Sequence, residues 1–505
     1  MTIAVAVIGA GFAGIGTAIR LKQKGIDDFT IFERGDRVGG TWRDNTYPGA
    51  ACDIPSRLYS YSFAQNPEWS HTYSASAEIL DYIDSMVADH DLARHIRFGR
   101  EVTGISYDEE SGEWTIRFAG RRRPVTARSV VMASGPLANP AMPDIRGRDD
   151  FAGHVIHSAR WDHDYDFTGK KVAVIGTGAS GVQIIPHLVK QAASVKVFQR
   201  TPGWVLPKVD LETGEFTKRI YRSIPGAQRL ARAGWFWGHE SVALGVVWDT
   251  PLTRAVEALS RLNLRLQVKD PWMRRQLTPD FSAGCKRLLM TSDYYPALQA
   301  DNCKLVTWPI ARIAPEGVRT VEGIEHQVDC IVYATGFEVS KQGTPFEIVG
   351  VDGRVLADEW AGGAYAYRSV NVEGYPNLHV TFGPNSGPGH NSALVYMESQ
   401  IDYLTDMVVH LEHNGWKALD VRAEVQERYN RDIQKRLAST TWNSGCQSWY
   451  LTDDGFNSTM FPGFATQYAN QLREVDLRDY RIRVHADAAA PAVGPTVSVR
   501  VPTRG

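Results

Sequence analysis

Two glycine-rich turns, each placed directly after a short apolar run, constrain the fold of this chain more than any other feature. The turn 9–14 (GAGFAG) follows the run 3–8, and the turn 176–181 (GTGASG) follows the run 171–175. Such runs predict buried parallel strands. Between a strand and a helix, the first glycine permits a tight turn, the second admits a pyrophosphate, and the third lets helix and strand pack closely. We therefore predict an α/β fold with two Rossmann-like dinucleotide-binding units.

The residue that follows the second strand differs between the two units. Glu33 stands as far beyond the first turn as Arg200 stands beyond the second, and Thr201 follows Arg200. A carboxylate accepts hydrogen bonds from ribose hydroxyls but repels a 2′-phosphate, whereas a guanidinium pairs with that phosphate. The first unit is thus predicted to bind an unphosphorylated ribose, as in FAD or NAD, and the second NADPH; the alternative for Arg200 is an ordinary surface residue. The predicted contacts within the turns are Gly9, Gly11, Gly14, Thr177, Gly178, Ala179, Ser180 and Gly181.

Composition and charge argue against several other classes of protein. A length of 505 residues suits roughly two to four domains. The net charge of -2 gives no electrostatic reason to expect nucleic acid or an anionic membrane as a partner. There is no apolar run of about 18 residues and no basic start typical of a signal peptide, so we expect no integral membrane segment. Five cysteines without a CxxC pair indicate an intracellular, reduced protein, and we expect a cytoplasmic location. The oligomeric state stays open.

The remaining patterns divide the chain into domains. Residues 38–53 lack periodicity and predict an ordered loop over a flat cofactor, residues 78–90 an amphipathic helix, and residues 102–118 a β-meander. Residues 206–282, rich in tryptophan and arginine, predict a helical insertion. Its aromatic residues are expected in a core more often than in a substrate pocket, and a peripheral membrane helix is a weaker alternative. The predicted division is an FAD-binding domain at 1–140 and 341–485, an NADPH-binding domain at 141–205 and 283–340, the insertion at 206–282, and a tail at 486–505.

The segment 151–162 (FAGHVIHSARWD) lies between the two units and carries histidine, tryptophan and aspartate where a linker usually has glycine, serine and proline. Its pattern, FxGxxxHxxxW followed by aspartate, resembles the fingerprint of the type I Baeyer–Villiger monooxygenases, within the class of flavin-containing monooxygenases. The resemblance extends over nearly the whole chain except most of the insertion and the tail. The fingerprint residues are Phe151, Gly153, His157, Trp161 and Asp162, and further matches lie at 39–42, 47–53, 199–201, 286–287 and 334–337.

The resemblance implies roles for particular residues. Arg287 is similar to the arginine that stabilises an anionic peroxyflavin and the tetrahedral adduct, and Asp53 to the carboxylate that orients this arginine. Lys286, with Arg200 and Thr201, resembles the clamp for the 2′-phosphate of NADPH. The family gives His157 a structural and relay role. Further cofactor contacts are predicted at Gly40, Thr41, Trp42, Tyr59, Val102, Gln183 and Ala393, and no metal is expected.

The reaction implied by the resemblance consumes NADPH and O2. NADPH reduces FAD, oxygen adds at the flavin C4a position, and the peroxide attacks a ketone to give an ester or lactone. Two departures weaken any transfer of substrate preference. Many relatives have Arg-Cys-Asp where this chain has alanine at position 51, and the loop 383–391 differs from that of the cyclic-ketone oxygenases.

Three other functions are compatible with parts of the sequence. A heteroatom oxygenase would use the same oxygen chemistry on sulfur or nitrogen, but Arg287 beside Asp53 favours the anion that attacks ketones. A flavoprotein disulfide reductase needs a CxxC pair, and Cys52 stands alone. A non-catalytic NADPH-binding flavoprotein would not need Arg287 and Asp53. Because the two units must move during turnover, we interpret His157 and Trp161 as parts of a hinge.

Overall fold

A computed structural model describes residues 2–137, 139–338, 344–446, 448, 450–452 and 454–485, so the predicted tail at 486–505 lies outside the described residues. The strands in chain order are β1 (Thr2–Ile8), β2 (Phe29–Phe32), β3 (Ile96–Arg97), β4 (Val102–Asp108), β5 (Glu113–Phe118), β6 (Val125–Met132), β7 (His154–His157), β8 (Lys171–Ile175), β9 (Ser194–Phe198), β10 (Val205–Leu206), β11 (Leu289–Met290), β12 (Cys303–Val306), β13 (Ile310–Ala314), β14 (Gly317–Thr320), β15 (Glu325–Gln327), β16 (Cys330–Tyr333), β17 (Glu347–Val349), β18 (Leu378–Val380), β19 (Trp416–Val421) and β20 (Tyr480–Val484).

The helices connect and cover these strands. They are α1 (Phe12–Gln23), α2 (Thr41–Asp44), α3 (Ser76–Asp89), α4 (Ala179–Gln191), α5 (Glu215–Ser223), α6 (Ala227–Val246), α7 (Pro251–Gln267), α8 (Pro271–Gln276), α9 (Tyr294–Leu298), α10 (Leu356–Glu359), α11 (Ala393–Asn414), α12 (Ala423–Leu437) and α13 (Ala465–Gln471). Among the described residues, no helix combines the length and the apolar character needed to cross a membrane.

Within the described residues, the first sheet contains eight strands, and the turn 9–14 follows its strand β1. Its order is β17-β4-β5-β6-β1-β2-β3, and β18 also pairs with β6. The central strand β1 is parallel to both β2 and β6, and Val5, Ala6 and Val7 are fully buried in it. Strands β4, β5 and β6 pair antiparallel, which confirms the β-meander predicted for 102–118. The predicted loop 38–53 differs in one detail, because it contains the short helix α2.

In the part of the chain that the structure describes, the second sheet contains five strands, all parallel, in the order β12-β9-β8-β16-β7. Together the two sheets confirm the predicted α/β class. The outer position of β7 corrects the interpretation of 151–162 as a linker, because His154 and His157 pair in register with Cys330 and Tyr333 of β16. A strand bonded to a sheet cannot bend freely, so a hinge in this segment has to lie outside 154–157.

The insertion is helical, as predicted, and comprises α5 to α8. The expectation that its aromatic residues belong to a core is wrong for four of them, since Phe216, Trp235, Trp237 and Trp272 are 76%, 38%, 62% and 63% exposed. Trp248 is half-buried and packs against Phe464. Helical spacing alone does not say which face of a helix meets the protein, and here α6 directs part of its aromatic face outward.

Acid should destabilise the fold through His379 of β18. Its side chain is 2% exposed, and burial lowers the pKa of His379 to about 3. As the pH falls, His379 becomes protonated near pH 6.5 in the unfolded chain but stays neutral in the folded chain. The free energy of unfolding is therefore unaffected by His379 above pH 6.5 and decreases below it. At pH 5.5 we expect this residue to cost about 1.4 kcal/mol relative to pH 7.5. Urea unfolding at both pH values checks this. Between the two pH values, the free energy of unfolding of the variant His379→Gln should fall less than that of the wild type, by that amount. An equal fall in the two proteins would contradict the prediction.

Candidate active site

The first glycine-rich turn has the geometry that the sequence predicts. Gly9 has a φ of +108°, and its N–H donates to the carbonyl oxygen of Phe32 at 2.9 Å. A Cβ added at Gly14 would lie 1.9 Å from the carbonyl oxygen of Gly9, so no side chain fits there. Gly11 is the N-cap of α1, whose first N–H groups have no partners within the helix. The turn therefore presents backbone donors and a positive helix end, which suit a pyrophosphate.

Glu33 lies beside this turn, at the end of β2, and is 3% exposed. Its Oε2 accepts from the N–H of Ala10 at 2.8 Å, and its Oε1 accepts from the N–H of Gly35 at 2.8 Å. Oε1 also accepts from Nη1 of Arg43 at 2.7 Å. Sequence analysis did not single out Arg43. The carboxylate is thereby fixed next to the turn, where the predicted ribose contact requires it.

The loop 38–45 covers the first turn. A Cβ added at Gly11 would lie 3.6 Å from the Cα of Gly40, so the two backbones approach closely. Thr41 and Trp42 open α2, and Nε1 of Trp42 donates to the hydroxyl of Tyr59 at 3.2 Å. The structure thus brings Trp42 into contact with Tyr59 and Gly40 into contact with Gly11, and the role of these residues in binding a cofactor stays a prediction. Val102, by contrast, is a buried residue at the start of β4.

The second turn repeats the geometry of the first. Gly176 has a φ of +109°, and a Cβ added at Gly181 would lie 2.3 Å from the carbonyl oxygen of Gly176. A Cβ added at Gly178, the N-cap of α4, would meet no atom of the described residues within 4 Å, which leaves room there for a ligand. Nε2 of Gln183 donates to the carbonyl oxygen of Ala51 at 3.1 Å, which ties α4 to the loop of Asp53. Thr177, Ala179 and Ser180 lie between these residues, and Ala179 is the first residue of α4.

Three residues predicted to bind a 2′-phosphate lie at the end of β9 or on the loop before β11. Arg200 is exposed and lies two residues after the end of β9, and Thr201 beside it is half-buried. Burial, followed by repulsion from Arg200, lowers the pKa of Lys286. The two cations therefore lie close enough to repel each other, as two groups that share one anion should.

Arg287 and Asp53 form a two-pronged ion pair, although they lie far apart in the sequence. Nη2 of Arg287 lies 2.7 Å from Oδ1 and 2.8 Å from Oδ2 of Asp53, and its Nε lies 3.0 Å from Oδ2. Burial opposes ionisation of Asp53, but the charge and hydrogen bonds of Arg287 outweigh it and lower the pKa of Asp53. The Asp53 charge in turn raises the pKa of Arg287, whose side chain remains 41% exposed. A permanently charged, fixed and accessible guanidinium results, suited to developing negative charge.

Comparison with known proteins decides the family. A model described as pyridine nucleotide-disulphide oxidoreductase matches residues 6–214. A Baeyer–Villiger monooxygenase of Streptomyces coelicolor is 42% identical over 491 residues, which are 97% of this chain and 94% of that protein. The chain belongs to the Baeyer–Villiger monooxygenase family. A second member, from Pseudomonas aeruginosa, is 41% identical over 480 residues, which are 95% of this chain and 91% of that protein.

A solved structure gives the same result at the level of the fold. The crystal structure of OTEMO in complex with FAD and NADP is similar to this Baeyer–Villiger monooxygenase with a TM-score of 0.85 and 27% identity, covering 95% of this chain and 99% of that chain. The resemblance that the fingerprint 151–162 indicates is thereby confirmed.

The fingerprint residues of the monooxygenase lie at the edge of the second sheet. A Cβ added at Gly153 would lie 2.6 Å from the carbonyl oxygen of Asp329 and 2.5 Å from the ring of Phe151, which explains the glycine. His157 is 8% exposed, and burial lowers its pKa, so the ring is neutral at pH 7. Trp161 stacks on Phe167 with ring centroids 5.5 Å apart, and the His154 Nε2 atom lies 2.9 Å from Oδ2 of Asp162.

Two groups beside the ion pair escaped sequence analysis as individual residues. Lys208 contributes to lowering the pKa of Asp53, and the electrostatic surroundings of Tyr450 include both Arg287 and Asp53. Burial raises the pKa of Tyr450 to about 12, so its hydroxyl is neutral. No local pattern in the sequence marks Lys208 or Tyr450, because both lie near Asp53 only through long-range packing.

A buried acid in the insertion was also missed. Glu240 of α6 is 4% exposed, and its Oε2 lies 3.2 Å from Nε2 of His390 and accepts from Nδ2 of Asn391 at 3.1 Å. The N–H groups of Ala465 and Thr466 donate to it at 3.1 and 2.9 Å. Burial opposes ionisation, but these donors lower the pKa of Glu240 to about 2. Glu240 therefore fixes the insertion to the loop that leads to Ala393, the first residue of α11. The available signal in the sequence was that Glu240 is the single acidic residue of α6.

Proposed function

We propose that Arg287 and Asp53 form the reaction centre of this Baeyer–Villiger monooxygenase, between an FAD site and an NADPH site. The enzyme consumes NADPH and O2 and converts a ketone to an ester or lactone. The observation that carries the assignment of the centre is the two-pronged ion pair, with three N–O distances of 3.0 Å or less. It holds one charged guanidinium in a fixed orientation between the two glycine-rich units.

The residues of the first unit fit FAD. Gly11 and Gly40 leave a backbone cradle that a Cβ would narrow, and the open end of α1 offers N–H donors to a pyrophosphate. Glu33 is oriented to accept hydrogen bonds from an unphosphorylated ribose. The similar structure of OTEMO was solved with FAD and NADP, which supports the same pair of cofactors here.

The residues of the second unit fit NADPH. The space at Gly178 holds no atom of the described residues, and Arg200, Thr201 and Lys286 offer two charges and a hydroxyl to a 2′-phosphate. The division of the chain that we propose accordingly keeps 1–140 with 341–485 for FAD and 141–205 with 283–340 for NADPH. Because the reaction draws on NADPH, we also propose that the enzyme works in the cytoplasm.

The chain contributes position and charge to the reaction. Bound FAD, once reduced by NADPH, supplies the activation of O2. Arg287 stabilises negative charge on the attacking oxygen and then on the carbonyl oxygen of the ketone. Asp53 holds the guanidinium in place, and its lowered pKa keeps the pair charged throughout the neutral range. Both residues are therefore expected to matter more for oxygenation than for hydride transfer.

Product analysis tests the proposed reaction. The purified enzyme is supplied with NADPH, O2 and either a panel of linear, cyclic and aromatic ketones or a matched panel of sulfides and amines. We expect esters or lactones from several ketones, in proportion to the NADPH consumed. Conversion of sulfides or amines without conversion of any ketone would instead assign the enzyme to heteroatom oxidation.

The choice between NADPH and NADH should depend on Arg200. In the variant Arg200→Ala, we expect the KM for NADPH to rise roughly tenfold, because one charge-assisted hydrogen bond of about 1.5 kcal/mol is lost. The KM for NADH should hardly change, since NADH has no 2′-phosphate. Steady-state kinetics with both nucleotides measure this. The matched control is Lys304→Ala, an exposed cation on the neighbouring strand β12. Equal effects on the two nucleotides would remove the phosphate role from Arg200.

A further inference from the structure

Two cysteines that the sequence led us to expect as free thiols form a disulfide. Cys285 and Cys446 are bonded across a separation of 161 residues, which contradicts the fully reduced interpretation. Cys285 is fully buried, whereas Cys446 is half-buried and reachable from solvent. Disulfides in reducing compartments are usually transient and redox-sensing.

The bond joins two segments that meet at the reaction centre. Cys285 directly precedes Lys286 and Arg287, and Cys446 lies shortly before Tyr450, whose electrostatic surroundings include Arg287. Gly284, with a φ of +95°, has no room for a side chain, because an added Cβ would lie 2.4 Å from the carbonyl oxygen of Val246. The loop of Arg287 is thus held between the end of α6 and the segment of Cys446.

The segment that carries Cys446 is itself attached to the insertion and to the loop before α11. The N–H of Thr441 donates to the carbonyl oxygen of Val247 at 3.0 Å. Trp442 is fully buried and so close to Gly389 that an added Cβ there would lie 2.5 Å from the indole ring. Reduction of the disulfide would therefore detach the loop of Arg287 from the segment of Cys446, and that segment would remain bound through Thr441 and Trp442.

The remaining three cysteines are poor candidates for oxidation. Cys52 and Cys330 are buried, and Cys303 is half-buried. Burial raises the pKa of each thiol to about 12, so almost no thiolate exists at pH 7. Among the cysteines, Cys446 and Cys303 are the two that are half-buried, and the raised pKa of Cys303 disfavours oxidation of its thiol.

We propose that Cys285 and Cys446 are a reversible dithiol–disulfide site that is oxidised by hydrogen peroxide and that, when oxidised, holds Arg287 in its productive position. This proposal rests on the proposed function, because oxygen activation that is not followed by ketone oxidation releases hydrogen peroxide. The enzyme would therefore supply its own oxidant. The disulfide formed by that oxidant would limit the further release of hydrogen peroxide.

The step balances in atoms and electrons. The Cys446 thiolate attacks one oxygen of hydrogen peroxide, the O–O bond breaks, and sulfenic acid and hydroxide form. The Cys285 thiol then attacks the Cys446 sulfur, the S–S bond forms, and the oxygen leaves as water after taking up the thiol proton. Sulfur loses two electrons and peroxide gains them. A dithiol reductant reverses the reaction by thiol–disulfide exchange.

The test measures thiol state and peroxide release separately. The holoenzyme is reduced with dithiothreitol, freed of it, and either kept anaerobic or treated with hydrogen peroxide; thiols are then alkylated and identified by peptide mass spectrometry. We expect Cys285 and Cys446 to be alkylated after reduction and protected after peroxide. Both forms of the enzyme are then given NADPH and a ketone in a buffer without catalase. In the first turnovers, the reduced enzyme should release roughly threefold more hydrogen peroxide per NADPH than the oxidised enzyme, because Arg287 is less well positioned without the disulfide.

Variants complete the test. Cys446→Ser should show the high peroxide release in every redox state, whereas the control Cys303→Ser should behave like wild type. The redox site is overturned if Cys285 and Cys446 stay unlabelled after reduction, or if peroxide per NADPH is the same in the reduced, oxidised and Cys446→Ser enzymes. Failure of the proposed function looks different, because then no redox state gives an ester from any ketone.

Discussion

The variant Arg287→Ala is expected to bind both cofactors and to reduce its flavin at nearly the wild-type rate, but to form ester about 10²- to 10³-fold more slowly. Hydride transfer needs the two cofactors in contact, whereas oxygenation needs a cation where negative charge develops. In the folded enzyme that cation is fixed on Asp53 through Nε and Nη2. Anaerobic stopped-flow absorbance measures flavin reduction, and chromatography of the product measures oxygenation.

Two further variants sharpen this experiment. Arg287→Lys keeps a charge but loses the two-pronged geometry, so we expect an intermediate rate of ester formation. Arg254→Ala removes an exposed arginine of α7 and should leave both half-reactions unchanged. Ester formation at the wild-type rate in Arg287→Ala would show that another group stabilises the charge.

The variant Gly14→Ala is expected to lose most of its flavin. The added Cβ would lie 1.9 Å from the carbonyl oxygen of Gly9, so α1 has to move away from β1. Overpacking of this kind costs about 1–3 kcal/mol. A free-energy cost of that size in the FAD-bound protein raises the Kd for FAD roughly ten- to a hundredfold. The flavin absorbance of the purified protein and its titration with FAD give the result.

Gly11→Ala separates packing from contact with the cofactor. Its Cβ would meet the Cα of Gly40 at an ordinary 3.6 Å, and its φ of -86° suits alanine. We therefore expect weaker FAD binding but an unchanged melting temperature of the protein without flavin. Gly214→Ala, in open space at the start of α5, should retain full flavin. Wild-type affinity in Gly11→Ala would show that the FAD pyrophosphate does not approach this turn.

Local patterns predicted the parts of the fold whose physics is local. A strand, three glycines and a helix lie within about twenty residues, and the clash at Gly14 or Gly181 arises within one turn of chain. The predicted roles of Glu33 and Arg200 likewise depend only on the charge of each residue and on its position after a strand. The prediction failed where one segment allows two environments. The segment 154–157 suits a linker or a strand, and only pairing with β16 selects the strand.

By itself, the sequence determined two glycine-rich strand–turn–helix units, the opposite charges of the residues that follow their second strands, and the family, because these depend on residue type and on spacing along the chain. Only the tertiary structure decided which distant groups meet. Arg287 meets Asp53 across 234 residues, Cys285 meets Cys446 across 161, and Glu240 meets His390 across 150. No periodicity connects such pairs, since each contact results from how the two sheets and the insertion pack together. The two charges of the Arg287–Asp53 pair were therefore readable in the sequence, but their fixed geometry was not.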